Sequence, residues 1–201
     1  MKIDTNDILN SILDSLDNVD YIRPEEIPNI DLYMDQVTTF MDEHFSSTKR
    51  YTEDKILTKT MINNYAKNNL LPPPVKKKYS KEHVLVMIFI YYFKNILSIK
   101  DIETVLEPLR EKYFSTDSAL QLSDIYREVC EMEKSRIEPM KASVREAYGK
   151  SQSSFENVPD GEEKDKLQLF TFICSLSFDV YLKKMMIEKI VDELASKDKK
   201  E

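Results

Sequence analysis

The chain has 201 residues, 41% of them hydrophobic, with 29 basic and 36 acidic side chains and a formal net charge of −7. That length suits one domain with an appendage or two small ones, and it buries enough apolar surface to dispense with metals and disulfides. Only two glycines occur, Gly149 and Gly161, so the glycine-rich phosphate loops of nucleotide-binding proteins cannot be assembled and no cofactor is expected.

The opening MKIDTNDILNSILDSLDNVD is acidic and amphipathic, with no cationic start before an apolar core, which points to a cytoplasmic protein. Asp4 or Thr5 caps a first helix bearing Ile8, Leu9, Ile12, Leu13 and Leu16 and ending near Asp17. Pro24 and Pro28 predict an extended connector along the core surface. A second helix is predicted from about Asp31 to His44. Charge then changes sign: residues 1–48 hold 2 basic and 11 acidic side chains, residues 49–81 hold 9 and 2, and residues 82–201 hold 18 and 23. A compact basic block inside an acidic chain implies a localised anionic partner, the competing reading being neutralisation of the acidic N-terminal part within the fold.

Within that block Thr58 caps a helix from Lys59 to about Asn68 whose inner face is Met61, Ile62, Tyr65 and Ala66. Its outer face is Lys59, Thr60, Asn63, Asn64 and Lys67. Asn69 serves as a left-handed terminator, and Pro72, Pro73 and Pro74 forbid continuation. Lys76, Lys77, Lys78 and Tyr79 follow, and Ser80 caps a helix to about Leu97. Its ten consecutive apolar residues, Val84 to Phe93, make it the buried centre, at about half the ~20 residues of a membrane span. No membrane association is expected. Ser98 with Asp101 forms a capping box for a short helix, Ile99 to Leu106, stopping around Pro108.

Two long helices are predicted beyond Phe114. The first, about 118–148, carries Leu122, Tyr126, Val129, Ile137, Met140, Val144 and Ala147 near the coiled-coil period, with a kink at Pro139 and Gly149 as its C-terminal cap. The second runs from about Glu162 to Ser196. Together they predict a closed helical hairpin or a homodimer. Cys130 and Cys174 read as small apolar residues of a reducing compartment, and His44 and His83 have no companion at ligand spacing, so no metal site is expected.

The run LTKTMINNYAKNNLLPPP, Leu57 to Pro74, followed by KKYSKEHV and ILSIKDIETVL, resembles the DNA-binding region of MerR-type transcription regulators. There a capped recognition helix ends in an aromatic, a polar turn and Leu-Leu-x-Pro, and a basic wing ends in Tyr-Ser at the cap of an apolar helix. The matching positions are Thr58, Tyr65, Leu70, Leu71, Pro73, Tyr79, Ser80 and Ser98. The resemblance implies a degenerate wing, since PPPVKKK lacks a hairpin glycine, and leaves the helix from Asp31 to His44 as the partner of the recognition helix. As a whole the chain also resembles an uncharacterised bacterial family of unknown function with the same Met-Ile-Asn-Asn-Tyr and Lys-Tyr-Ser-Lys-Glu-His signatures, which implies no activity.

The expected architecture is all-α, with a helical domain over residues 1–112 containing the MerR-like helix-turn-helix (57–108) and a C-terminal helical hairpin over 113–201. Lys59, Thr60, Asn63, Asn64, Lys67, Lys76, Lys77, Lys78 and Tyr79 are the candidate DNA contacts, amides for base edges and ammonium groups for phosphates. A solvated helix face is the competing reading. Asp101, Glu103, Glu107 and Glu111 lack a convergent nucleophile or histidine and read as a solvated face, so no enzyme is expected. Tyr91, Tyr92 and Phe93 with Phe170, Phe172 and Phe178 admit a small-molecule effector pocket but fit ordinary core better. Two functions remain: a DNA-binding regulator, and a helical adaptor that binds another protein.

Overall fold

A computed structural model describes residues 5–17, 21–114 and 119–197. Among the described residues 70% are helical and 3% are in strands, so the fold is all-α. No helix among the described residues is long and apolar enough to cross a membrane. The chain divides into two units, residues 22–129 with 187–201 and residues 1–21 with 130–186. The division falls away from the expected boundary at residue 112.

The unit built on residues 22–129 is organised around α4 (Lys81–Phe93). From Val84 to Ile90 every side chain of α4 is buried, as expected for a helix without a polar face. Tyr91, Tyr92 and Phe93, at its end, are only half-buried. Around it stand α2 (Met34–Phe45), α3 (Lys59–Lys67), α5 (Ile99–Tyr113) and the start of α6 (Leu122–Lys134). Phe45 of α2 lies 4.4 Å from the Tyr91 ring, Tyr126 of α6 meets Phe89 edge-on at 5.5 Å, and Ile102 and Leu106 of α5 are buried. A two-residue strand β1 (Leu32–Tyr33) pairs antiparallel with β2 (Lys78–Tyr79), Leu32 opposite Tyr79 and Tyr33 opposite Lys78.

The capping chemistry follows the sequence. Ser98 Oγ accepts from the Asp101 amide at 3.2 Å, and Asp101 Oδ2 accepts from the Ser98 amide at 3.1 Å. Helix α5 does not stop at Pro108, however. Pro108 is exposed, so the helix gives up one amide bond on its solvent side and continues to Tyr113.

The second unit joins α1 (Thr5–Asp17) to α7 (Ile137–Gln152) and the first part of α8 (Glu162–Lys197). Asp4, one of the two expected caps of α1, lies outside the described residues. Leu13, Val144, Tyr148 and Phe172 form the core, with Leu9, Ile12, Ala147, Leu169 and Leu176 packed on it. The Tyr148 hydroxyl donates to Thr5 Oγ1 at 2.8 Å and to Asn6 Oδ1 at 3.1 Å, and the buried Lys141 ammonium joins Asp17 and Glu138. These ion-paired hydrogen bonds, Asp17 first, hold Lys141 above its ordinary value. In this unit the N-terminal helix α1 packs with α7 and the first part of α8.

The single helix expected over 118–148 is two, broken at Ser135–Arg136. Pro139 lacks an amide and its ring would strike the carbonyl four residues back, that of Ser135, so the helix restarts with proline in its first turn. The expected seam is divided with it: Leu122 and Tyr126 face the first unit's core, Val144 the second's. Gly149 does not end α7, which runs on to Gln152. Gln168 of α8 secures that end by donating to the Gln152 and Ser154 carbonyls at 2.7 and 3.1 Å.

Replacing Ile88 by alanine should cost about 2–5 kcal/mol in chemical denaturation, whereas Ile30→Ala, at an exposed site, should stay within about 0.5 kcal/mol.

Candidate nucleic-acid interface

Helix α3 begins where the Thr58 hydroxyl accepts from the Met61 amide at 3.2 Å. Ile62 and Tyr65 are buried, Met61 and Ala66 half-buried, and burial pushes the Tyr65 phenol above its usual value. Lys59, Thr60, Asn63, Asn64 and Lys67 are all exposed. The helix ends in a Schellman arrangement: the Asn69 amide donates to the Ala66 carbonyl at 3.3 Å and the Leu70 amide to the Tyr65 carbonyl at 2.9 Å. Asn69 takes φ 54°, the left-handed conformation that asparagine tolerates in place of glycine. Leu70 and Leu71 are buried immediately after it.

The three prolines lead into a two-residue hairpin. The Lys78 amide donates to the Val75 carbonyl at 2.9 Å, and Val75 bridges Lys78 antiparallel. Between them Lys76 and Lys77 take φ 51° and 63°, positive at both central positions as in a type I′ turn. That turn ordinarily uses Asn-Gly, and its absence from PPPVKKK is why the sequence carries no hairpin signal. The ribbon holds two exposed ammonium groups at its tip.

The start of α2 binds both basic elements. Tyr33, the last residue of β1, places its ring 5.1 Å from Lys78 Nζ, and Asp35, two residues on, forms an ion pair with Lys59 of α3. Gln36 Oε1 accepts from the Tyr33 amide at 2.8 Å and fixes this turn. The start of α2 thus lies against α3, and the outer face of α3 and the base of the hairpin flank one helix end. Tyr33, with no place among the sequence candidates, is identified only by its position opposite Lys78.

Not every candidate is available to a partner. Tyr79 is 3% exposed, opposite Leu32 in the ribbon and 5.5 Å edge-on from His83, so its ring serves the fold and offers nothing to a groove. Asn64 Oδ1 accepts from Asn68 Nδ2 at 3.0 Å, leaving Asn63 the less engaged amide. Lys49, also of the basic block, pairs with Asp42 at 2.6 Å. With Lys59–Asp35 this neutralises part of the acidic N-terminal charge, while Lys67, Lys76 and Lys77 remain exposed. The aromatic sets named for a pocket fall in separate units: Phe172 is core in one, and in the other Tyr91 packs on Phe45 and hydrogen-bonds Thr48.

Behind the ribbon His83 joins it to α4. The Ser80 amide donates to His83 Nδ1 at 3.0 Å, so the proton of the neutral ring sits on Nε2. Nε2 is enclosed without a hydrogen bond of good geometry, although the Pro73 and Pro72 carbonyls face it and favour the charged form. Burial outweighs them and holds His83 below the ordinary imidazole range.

Residues 22–129 match the model of a domain of unknown function, DUF1836. The chain belongs to that family. The span matched coincides with the main segment of the unit that carries α3 and the ribbon. Comparison with curated proteins and with solved structures finds no match. The DUF1836 core therefore runs from the connector before β1 to the first turns of α6.

Two measurements probe this site. Lys77→Gly removes the left-handed penalty of a side chain and should stabilise the DUF1836 unit by about 1 kcal/mol in chemical denaturation. Burial holds folded His83 below the ordinary imidazole value of about 6.5 that it has when unfolded, so as pH falls through that value the unfolded chain takes up the proton first. Stability should fall as pH drops below about 6.5, by at most about 1.4 kcal/mol per pH unit from this one proton, and His83→Gln should flatten the dependence of the melting temperature between about pH 7 and 5.

Proposed function

We propose that this protein is a non-enzymatic DNA-binding regulator of MerR-like type, with α3 as recognition helix and the Val75–Lys78 ribbon as a short wing. The observation that carries the reading is the double grip of the α2 start, Asp35 on Lys59 and Tyr33 on Lys78, which sets a helix face of amides and cations beside a turn tip of two lysines. Asn63 suits bidentate contact with adenine in the major groove, and Lys67, Lys76 and Lys77 suit phosphates. Two consecutive left-handed lysines add to the case, since a turn that costs conformational energy persists where its side chains have work to do.

Titration onto labelled DNA at several salt concentrations tests it. If about five to seven cations meet phosphates, the log-log slope of affinity against salt should be on the order of −4 to −6. Lys76, Lys77 and Lys78 changed together to glutamine should weaken binding to all sequences and flatten the slope by roughly two to three units. Asn63→Ala should cost about 1–3 kcal/mol on the preferred sequence with the slope nearly unchanged. Asp35→Asn releases Lys59 and removes a carboxylate from the interface, so it should tighten binding. No binding by folded wild-type protein at low salt, on random pools and on its own promoter, leaves the protein-binding adaptor as the function, and the exposed apolar residues of α8 then become its contact surface.

A further inference from the structure

The break that Pro139 imposes at Ser135–Arg136 adjoins a cleft of about 200 Å³, lined from both sides of the break and from α8. Leu16 of α1, Ile137 and Met140 of α7 and the ring of Tyr21 supply its apolar wall. Glu133, Arg136 and Lys183 supply its charges. All of these residues belong to the unit of residues 1–21 with 130–186, outside the span matched by DUF1836. The cleft has a fixed frame. The buried Lys141 ammonium, next to Met140 in sequence, joins Asp17, next to Leu16, and so ties the end of α1 to the start of α7. A cleft set in advance costs a ligand little ordering on entry.

We propose that this cleft binds a small aromatic monocarboxylate, its ring against Leu16, Ile137 and Met140 and its carboxylate between Arg136 and Lys183. Size sets the first limit. Drug-sized ligands occupy about 300–1,000 Å³ and a benzene ring fits a cavity of about 150 Å³, so one ring with a short acidic arm fills this cleft. Charge sets the second. Arg136 meets Glu133 at 3.4 Å through Nη1 alone, which leaves its other N–H groups for a second carboxylate. Lys183 is exposed and forms no ion pair among the described residues. Tyr21, whose phenol is held above its ordinary value first by burial and then by the Glu133 charge, stays neutral and adds no negative charge. Two cations against one carboxylate favour an anion and disfavour an amine.

Calorimetric titration of the full chain with sodium phenylacetate tests the site without DNA, so its outcome is separate from that of the regulator reading. Binding should saturate with a Kd on the order of 0.1 mM. Phenylacetamide, of the same size without the charge, should bind about tenfold more weakly, and phenethylamine not at all. Arg136→Gln and Lys183→Gln, both at exposed side chains, should each weaken phenylacetate about tenfold with an unchanged circular dichroism spectrum. In protein with isotope-labelled methionine methyls, the Met140 resonance should move during the titration while that of Met87, buried in α4, stays in place. No binding at about 5 mM phenylacetate overturns the proposal, as does an amide or amine that binds as tightly as the acid. Unaltered affinity in either variant, or a Met140 resonance that does not move, overturns the placement in this cleft.

Discussion

The DUF1836 unit depends on the enclosure of α4. A helix with apolar side chains on every side from Val84 to Ile90 has no face to give to water, so elements must be laid against all of it. Helix α2 contributes Phe45, α5 contributes Ile102 and Leu106, and α6 contributes Tyr126. The ribbon covers the N-terminal end through Tyr79 and His83, whose rings meet edge-on. The same packing sets the basic surface outside. Once Tyr79 and Leu70 are drawn inward, the lysines between and before them are left outside.

The same logic explains why the ribbon holds together with so little strand. Two residue pairs cannot stabilise a sheet in water. Leu32 and Tyr79 are anchored by burial, and the Tyr33 ring lies by the Lys78 ammonium on the outer side. His83 fastens the following cap by accepting from Ser80. The left-handed lysines at the tip are carried by these contacts and add none of their own.

Much of this was legible in the sequence wherever a residue's role is local. Thr58, Asn69, Ser98 with Asp101, and the apolar run of α4 all act as their types and positions imply. Roles fixed at a distance were not. The break before Pro139 and the passage of α5 through Pro108 are opposite outcomes of one residue type, and both prolines are exposed, so neither type nor exposure foretells which occurs. Gly149 lies within α7 because tertiary contacts at Ser151 and Gln152 carry the helix past it. The ribbon escapes notice since Lys-Lys is no turn signal, and the burial of Tyr79 follows only from the pairing. Nor does any local pattern announce that Tyr148 would meet Thr5 across most of the chain. Of the candidate contacts, the exposed face of α3 follows from periodicity alone, whereas the link from Tyr33 to Lys78 needs the strand register.

The two left-handed lysines also bear on the order of events when the chain folds. A hairpin with Asn-Gly at its tip can form early, from its own local preference. One with Lys76 and Lys77 at those positions opposes its own closure, so Val75 and Lys78 come together only after Tyr79 and Leu32 have found the core. The ribbon is a late arrival, assembled onto α2 and α4 rather than nucleating them. Its strand β1 lies more than forty residues upstream of β2, and closing that span falls to the helices, whose packing brings the two strands within reach.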